Sequence, residues 1–482
     1  MKKCVFLCAL LVCFALQMAP CGGNQSAAAG SGRVDELVWV YNTWGMIPPD
    51  TPKVEAAINE YLAAKNLGIK VKLMPLGIGE SFQRIPLMLA SPSEPLDLLP
   101  VMGSQANSYF QQGQLIPLDD LLKVHGQEMV KTVGERYLSA CRINGEQVGI
   151  PALKDMARGF GLLVTREYVD KYRLDLGKVK TIEDVTPILA AIKKAEPNFY
   201  PLNLSNSVNC VTLSIPHDTL GDDFGVLIGQ DRKVVNLFET PIYRQRVELF
   251  RSWYLAGYIP RDAATKEDSN AVALRAGAAC AYFTLGKPGI EVEDAVSAGM
   301  PLELARINQG YSTTSDINGL MWAIPLNAKH PEKSMILMNL LFTDPVLINL
   351  IDYGIEGVHY VKRPDGTIGY PSGVSAADSP YMLNMSWQLG NQWLSYVWEG
   401  SPPDLYKQLQ AYNNSAAPSP AMGFSFDNSR VMAQISALTA VADQYRVNLE
   451  TGSVDITLLD EFNAKLKQAG TGRGYSGKTT SA

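Results

Sequence analysis

The chain has few of the residues that build metal centres and disulfides. Its 482 residues include only seven cysteines and four histidines, and four of the cysteines lie within the first 21 residues. The other three, Cys141, Cys210 and Cys280, are far apart, and neither a CxxC motif nor a Cys/His ligand spacing is present. We therefore expect no metal site and no cofactor, and we predict that these three cysteines are small core residues.

The chain also lacks an excess of basic residues and a long apolar segment in its body. The net charge is −6 and the pI is near 5.5, which argues against a nucleic-acid partner. After residue 21 no apolar run approaches the roughly 20 residues that a membrane-spanning helix needs. With 46% hydrophobic and 19% charged residues the body is globular, and its length suits two or three ordinary domains.

Sequence motifs of the common catalytic sites are absent as well. There is no G-x-S-x-G, no H-E-x-x-H and no Walker loop. The adjacent acids Asp119–Asp120 and Asp222–Asp223 cannot face each other as a general acid and base must. We therefore do not expect an enzyme. A carboxylate pair of the glycosidase type among the 48 acidic residues stays open as an alternative.

The N-terminus has the arrangement of an export signal. Lys2 and Lys3 precede an apolar run at residues 5–16, which is too short to span a bilayer, so residues 1–20 are predicted to be a signal peptide. Cys21 and a Gly/Ser/Ala-rich segment follow, as in bacterial lipoproteins. Residues 21–35 are thus expected to be a flexible tether with lipid on Cys21 at the extracytoplasmic face of the cell membrane. Because Pro20 replaces the usual small residue, a simple signal peptide cut elsewhere remains the alternative.

The first part of the body alternates strand and helix patterns. Residues 36–41 and 69–73 have strand patterns, and residues 51–66 between them have apolar side chains at helical spacing, which predicts a parallel β-α-β unit. A helix at 81–90 and a third strand at 96–101 follow. This pattern predicts an α/β open sheet with its ligand crevice at the carboxyl ends of the strands, beside the loops that begin at Asn42, Pro75 and Met102.

Several segments resemble landmarks of one protein family. Residues 113–119 (Gly-Gln-Leu-Ile-Pro-Leu-Asp) and 144–151 (Asn-Gly-Glu-Gln-Val-Gly-Ile-Pro) are similar to landmarks of extracellular solute-binding protein family 1, the carbohydrate-uptake type. Val148 departs from the aromatic residue usual there. Residues 161–172 and 318–325 match further landmarks in order. Residues 352–360, 423–427 and 465–470 resemble an LplA-like lipoprotein subgroup with a DUF3502-type C-terminal region.

This resemblance implies a two-lobed, type II periplasmic-binding-protein-like α/β fold, with an open sheet in each lobe and crossover hinge strands between them. The expected boundaries are 36–152 plus 276–328 for lobe 1, 153–275 plus 329–475 for lobe 2, and a frayed tail at 476–482. Hinges are expected near Pro151, Gly277 and Pro325.

The resemblance also implies a function. The chain would be a monomeric lipoprotein that captures a mono- or oligosaccharide by closure of the lobes and delivers it to the permease of an ABC importer. The alternatives are a binding protein for a peptide or an anionic metabolite, and a surface enzyme that acts on glycans.

The family fold places the ligand cleft at strand ends and crossovers, and several candidate ligand-binding residues lie at such positions. Sugar rings stack on aromatic side chains, while their hydroxyl groups need polar partners. Trp44 occupies the first strand-to-helix loop, although a loop anchor is the alternative. Ser104 and Gln105 follow the third strand. Asp155 and Arg158 lie just beyond the first crossover, where a structural ion pair between the lobes is an equal alternative for Arg158.

Residues farther along the chain complete this set. Tyr282 and Asn318 border the expected return crossovers. Trp387 and Trp393 belong to a dense aromatic stretch whose other interpretation is a core face, and Tyr353 lies in a Tyr-Gly-Ile-Glu-Gly segment. The predicted ligand-binding residues are thus Trp44, Ser104, Gln105, Asp155, Arg158, Tyr282, Asn318, Tyr353, Trp387 and Trp393.

Overall fold

The computed structural model describes residues 33–470, apart from residues 45, 92, 95, 205–209 and 427–430. The predicted signal peptide, Cys21, most of the tether and the C-terminal tail lie outside the described residues.

Short strands alternate with helices along the described chain. The strands are β1 (Asp35–Thr43), β2 (Ile69–Gly77), β3 (Leu99–Val101), β4 (Arg142–Ile143), β5 (Glu146–Gln147), β6 (Ile150–Pro151), β7 (Phe160–Thr165), β8 (His217–Asp218), β9 (Leu227–Ile228), β10 (Ala281–Leu285), β11 (Leu302–Arg306), β12 (Tyr311–Ser312), β13 (Met321–Ala323), β14 (Val361–Lys362), β15 (Ile368–Gly369) and β16 (Ala417–Pro418). The helices are α1 (Thr51–Ala64), α2 (Ile78–Ala90), α3 (Gly103–Gln111), α4 (Asp119–His125), α5 (Gln127–Val133), α6 (Glu135–Leu138), α7 (Arg166–Tyr172), α8 (Val185–Ala195), α9 (Cys210–Leu213), α10 (Pro241–Leu255), α11 (Asn270–Arg275), α12 (Ile290–Ala298), α13 (Thr314–Ile317), α14 (Pro331–Thr343), α15 (Pro345–Tyr353), α16 (Leu405–Ser415), α17 (Met432–Glu450) and α18 (Thr457–Ala469).

The first core is built around β1. This strand is buried along its length from Leu37, and it pairs in parallel with β2, with Asp35 opposite Ile69. A bridge from Trp39 to Leu98 continues the sheet toward β3, and β13 then pairs antiparallel with both β3 and β6. Helix α1 covers this sheet because Val54, Ile58 and Leu62 repeat at helical spacing. The predicted β-α-β unit and its parallel pairing are confirmed.

Helices α14 and α15 complete the first core. Their apolar residues pack with those of β1, α1 and α5, and the carboxylate of Asp344 caps α15 by accepting the N–H of Val346 at 2.9 Å. Among the described residues no single helix is long and apolar enough to cross a membrane. Helices α14 and α15 pass that test only as a pair, and they are bent by 88° at their junction.

The second core surrounds β7. Strands β10 and β11 lie on either side of β7, both antiparallel to it, so that Thr284 and Arg306 both face Gly161. Helices α8, α10, α17 and α18 pack their apolar sides into this core. Cys141 is buried beside the first core, and Cys210 and Cys280 are buried in the second, all three as free thiols, in agreement with the sequence analysis.

The two cores divide the chain differently from the expected lobe boundaries. Residues 276–328 were expected in lobe 1, but β10 and β11 belong to the sheet of β7. Residues 329–475 were expected in lobe 2, but α14, α15 and the chain to Leu389 pack in the first core. The physical reason is strand pairing: β10, α12 and β11 form a crossover around β7, so the chain stays in the second core for longer than the landmarks suggested.

In the described residues the chain consequently passes between the cores around residues 156–160, 307–317 and 389–438. Pro151 lies near the first passage. Gly277 instead ends α11 in a left-handed turn (φ +64°) within the second lobe, and Pro325 bridges to Leu115 in the first. Neither of these two residues lies at a passage.

Candidate ligand-binding cleft

A cleft opens where the first two passages run side by side between the cores. Its volume is about 360 Å³, in the range of small-molecule sites. The lining combines charged groups from both passages with an indole side chain and a few aliphatic groups. The lining residues are Lys154, Asp155, Ala157, Arg158, Leu285, Ser315, Asp316, Gly319, Leu320 and Trp387.

The backbone of the first passage is fixed by hydrogen bonds on several sides. The Asn413 side chain donates to the carbonyl of Lys154 at 2.6 Å and accepts the N–H of Met156 at 2.9 Å. The main chains of Arg158 and Tyr311 exchange two hydrogen bonds at 2.8 and 2.9 Å, which ties the first passage to the second. These hydrogen bonds therefore fix the backbone of the residues between them, including Asp155.

The polar floor of the cleft consists of ion pairs. Arg158 Nε lies 2.7 Å from Asp316 Oδ1, and Asp155 lies between two lysines, with Lys287 Nζ 3.4 Å from Oδ2 and Lys154 Nζ 3.7 Å from Oδ1. Lys287 and Glu293 lie outside the lining and contact each other at 2.9 Å. Because these groups remain partly open to water, they can exchange some of their hydration for hydrogen bonds to a polar ligand.

Asp316 is fixed by a second set of contacts. Its Oδ2 accepts the N–H of Thr313 at 2.9 Å and the hydroxyl of Thr313 at 2.6 Å, and the hydroxyl in turn accepts the N–H of Asp316. This capping box begins α13. Burial raises the pKa of Asp316, and Arg158 and the bonds from Thr313 act against that rise. The carboxylate is thus positioned by the fold.

The aromatic side of the cleft is formed by Trp387, and Trp44 contacts it from outside the lining. Trp44 directly follows β1, and its side chain is 73% exposed. Its ring centroid lies 6.1 Å from that of Trp387, with the planes inclined by 47°. Two neighbouring indoles, one of them largely exposed, offer a surface for the apolar faces of sugar rings.

Trp387 is positioned by buried polar groups on either side of it. The Gln388 amide accepts the N–H of Asn42 at 3.2 Å and donates to the Asn42 carbonyl at 2.8 Å, so it extends the edge of β1. The Asp352 carboxyl accepts the N–H of Met385 at 2.7 Å. Together these bonds hold the 3₁₀ turn Ser386–Gln388 beside the loop that carries Trp44.

The structure brings four of the predicted residues together. Asp155, Arg158 and Trp387 line the cleft, and Trp44 contacts Trp387. Arg158 lines the cleft and is also ion-paired with Asp316, so its position is compatible with either of the two roles predicted for it.

Three further predicted residues lie beside the cleft lining. The Asn318 amide donates to the carbonyl of Ala140 at 3.0 Å, and the Asn318 carbonyl accepts the N–H of Gly103 at 2.9 Å. A Cβ on Gly103 would come within 2.4 Å of Asn318, so glycine is required at this contact. Ser104 and Gln105 open α3 at the same point. These residues join the second passage to the first core.

The other three predicted residues lie within packed clusters. Tyr282 is buried and donates to Asp294 Oδ2 at 2.6 Å. Tyr353 is buried and donates to the carbonyl of Tyr396 at 3.1 Å. Trp393 packs against Tyr406, with ring centroids 6.2 Å apart. All three are placed away from the cleft lining, because each packs on the interior side of its own segment.

Two residues of the polar floor were missed by the sequence analysis. Asp316 had a usable signal, since Thr313-Thr-Ser-Asp316 has the S/T-x-x-D spacing of a capping box just before Asn318. Lys287 had none: it is one lysine in a loop after β10, and only the fold brings it to Asp155. Among the described residues, no group of three or more His, Cys, Asp or Glu side chains could hold a metal ion.

Comparisons with known proteins agree with this architecture. A family model described as a domain of unknown function, DUF3502, matches residues 420–473. A carbohydrate ABC transporter substrate-binding protein from Streptococcus pneumoniae serotype 4 is 28% identical, over 97% of this chain and 95% of that protein.

Solved structures share the fold at lower identity. The N-glycan transport solute binding protein NgtS from Streptococcus pneumoniae has a TM-score of 0.77 at 23% identity, and the match covers 91% of this chain and 96% of that chain. The alginate-binding protein AlgQ2 has a TM-score of 0.60 at 15% identity, with 93% and 98% covered. The predicted fold class is confirmed: the chain has the two-lobed fold of the extracellular solute-binding proteins, and it resembles a carbohydrate ABC transporter substrate-binding protein over nearly its whole length.

Proposed function

We propose that this protein is the substrate-binding component of an ABC importer for carbohydrates. It would be exported, held at the extracytoplasmic face by lipid on Cys21, and would deliver its sugar to the permease. The observation that carries the proposal is that Trp387, which is paired with the exposed Trp44, lines the same cleft as a set of charged groups.

This arrangement suits the two kinds of surface that a sugar presents. The C–H faces of a pyranose ring are apolar and gain from contact with indole, whereas its hydroxyl groups lose water on burial and must find new hydrogen bonds. Arg158 and Lys154 supply donors, and Asp155 supplies an acceptor. The relatives named above support a carbohydrate as the ligand, although one binds N-glycans and another alginate, so they leave the sugar open.

Capture would proceed by closure of the lobes. A ligand that contacts both sides of the cleft only in the closed form stabilises that form by its differential affinity. Trp44 and Trp387 belong to the first lobe, while Leu285, the last residue of β10 in the second, also lines the cleft. A sugar on the indoles that also contacts Leu285 would therefore connect the two lobes. The passages between the lobes would take up the rotation.

The enzyme alternative requires a carboxylate pair at the cleft, and Asp155 and Asp316 are both there. Each is ion-paired, by Lys287 and Lys154 or by Arg158. Asp316 is also held by two bonds from Thr313, so the carboxyl oxygens of both residues are already engaged by protein groups and neither carboxyl is free to approach a leaving oxygen. This supports binding without hydrolysis.

The test is a thermal-shift screen of the purified protein against neutral and acidic sugars and peptides, followed by calorimetric titration of each hit. We expect a saccharide to raise the melting temperature and to be recovered intact. Trp44→Ala is expected to weaken its binding about tenfold or more, because a stacked ring is lost. Leu255→Ala, which removes an exposed apolar side chain of α10, serves as the control and should leave affinity unchanged.

The proposal fails if peptides or organic acids shift the melting temperature while no saccharide does. It also fails if Trp44→Ala and Leu255→Ala bind the sugar equally well. Release of a shortened saccharide during incubation would favour the enzyme alternative.

A further inference from the structure

The charges of the cleft are balanced within the cleft itself. Among the described residues, the lining includes two cations and two carboxylates, and Lys287 with Glu293 adds one charge of each sign beside Asp155; each of these cations has a carboxylate within 4 Å. The ion pairs are Arg158 with Asp316, Lys154 with Asp155, and Lys287 with both Asp155 and Glu293. The floor is therefore rich in hydrogen-bonding groups but close to neutral in sum.

This balance has different consequences for neutral and acidic sugars. A uronate brings a carboxylate into a site where water is partly displaced, and this costs free energy unless an uncompensated cation receives it. Here a carboxylate ligand at Arg158 would lie close to Asp316, and like charges in such a position repel. A neutral sugar meets no such repulsion, because a hydroxyl group can accept from Arg158 and donate to Asp155.

The fold does not make this choice. The structural relatives include a binding protein for N-glycans and one for alginate, a polymer of uronic acids, so both kinds of ligand occur on the same architecture. Discrimination must therefore come from the side chains of the cleft, and the paired carboxylates are the groups that set its charge.

We infer that Asp316 and Asp155 are specificity-determining residues that neutralise the cations of the cleft and so select uncharged saccharides over uronates. This inference rests on the proposed carbohydrate-binding function. Asp316 gives the clearer test of this inference, because it contacts Arg158. The guanidinium of Arg158 is the group of the cleft best suited to bind a ligand carboxylate through two hydrogen bonds.

Asp316→Asn tests the role of the charge while keeping the local structure. An asparagine oxygen in the place of Oδ2 still accepts the N–H of Thr313, so α13 keeps its cap. What is lost is the negative charge beside Arg158. The same logic applies to Asp155→Asn, which frees Lys154 and leaves Lys287 paired with Glu293 alone. Glu303→Gln is the matched control, because it breaks a 2.6 Å ion pair with Arg166 that lines a separate groove.

The probes are matched pairs that differ in one oxidised carbon per ring. They are β-1,4-mannotriose with the β-1,4-mannuronate trimer, and glucose and galactose with their uronates. Affinities are measured by calorimetry at low and physiological salt. In each pair that binds, we expect the wild-type protein to favour the neutral member by about tenfold or more. In Asp316→Asn the ratio should fall by about tenfold through a gain in uronate affinity, while Glu303→Gln keeps the wild-type ratio.

The outcomes separate this inference from the proposed function. Equal or tighter binding of the uronates by the wild-type protein overturns the inference and leaves carbohydrate binding intact. An unchanged ratio in both Asp316→Asn and Asp155→Asn removes the role of these two residues. If no member of any pair and no other saccharide binds, the proposed function itself fails and the inference fails with it.

Discussion

The arginine clusters of the second core and of the cleft use the same chemistry in different surroundings. In the core, Arg446 donates to Asp223 at 2.8 Å and to Glu450 at 3.1 Å, its guanidinium lies over the ring of Phe238, and the Tyr243 hydroxyl also donates to Glu450. In the cleft, Arg158 contacts Asp316. The Arg446 and Glu450 side chains are 16% and 5% exposed, while Arg158 is 32% exposed.

The difference lies in what can replace a lost partner. Around Arg446, protein groups supply the contacts, and the Glu450 side chain is only 5% exposed, so Arg446 and Glu450 depend on each other, while Asp223 is 28% exposed. Arg158 can turn to water or to a ligand when its partner is removed. The first arrangement fixes α17, part of the segment matched by the DUF3502 family model, to the second core. The second leaves donors available for binding. An ion pair thus supports a binding role only when it is open to solvent and beside a ligand-sized cleft.

Asp352 is a third case, a carboxyl group with no cation at all among the described residues around it. It is fully buried, Oδ1 accepts the N–H of Met385, and among the described residues Oδ2 has no partner in hydrogen-bond geometry, although the nearby Tyr353 hydroxyl acts to lower the pKa of the group. The titratable groups that face it are the hydroxyls of Tyr353, Tyr381 and Tyr406, and burial raises the pKa of each. Burial raises the pKa of Asp352 from 3.8 to about 7.

The largest effect is expected from Arg446→Met. This change leaves Glu450 and Asp223 without their cation in the second core, which should lower the free energy of unfolding by about 3–5 kcal/mol. Urea denaturation followed by tryptophan fluorescence measures it. Arg244→Met is the control, because Arg244 pairs with Asp460 at the surface and should cost less than about 1 kcal/mol. Similar losses in the two variants would contradict the distinction between buried and open pairs.

The next effect is a dependence of stability on pH through Asp352. A carboxyl group whose folded pKa is about 7 binds its proton more tightly in the folded protein than in the unfolded chain, where the value is near 3.8. The folded state therefore gains stability below about pH 4, and this gain is lost as the pH rises toward and through 7.

Asp352→Asn keeps the acceptor for Met385 and removes this titration. At pH 8 the variant should be more stable than the wild-type protein by about 2–4 kcal/mol, and at pH 4 the two should be nearly equal. Melting curves of both proteins between pH 4 and 8 give the comparison, with the exposed Asp460→Asn as the control. The predicted direction of the pH effect is wrong if the wild-type protein becomes more stable relative to Asp352→Asn as the pH rises from 4 to 8.

Much of the fold could be predicted because its signals are local. The apolar run of β1, the helical spacing of Val54, Ile58 and Leu62, and the alternation in β2 all lie within one short stretch. The lobe boundaries could not be predicted in this way. They depend on β10 and β11 pairing with β7, which lies more than 100 residues earlier in the chain. The sequence of a strand does not show which other strand it pairs with.

The sequence could predict a site residue only where a strand end or a passage between the cores places that residue near the cleft. Trp44, Asp155 and Arg158 follow strand ends or passages, and the structure places them at the cleft or beside it. Tyr282 and Tyr353 lie in packed clusters outside the cleft lining, because a tyrosine near a crossover can turn to either side and packing decides which. Asp316 and Lys287 were missed because their partners are distant in sequence.

The smallest effect, and the one that tests the comparison most directly, is the stability of Asp316→Asn. The variant removes a carboxylate that is costly to bury, keeps the bond from Thr313, and leaves Arg158 able to reach water. These terms oppose one another, so the free energy of unfolding should change by less than about 1 kcal/mol. Glu450→Gln is the matched change in the second core, and it should cost at least about 1 kcal/mol more, because Arg446 has less access to water. Equal costs would mean that the cleft pair is as structural as the core pair, since Arg158 would then depend on Asp316 as Arg446 depends on Glu450.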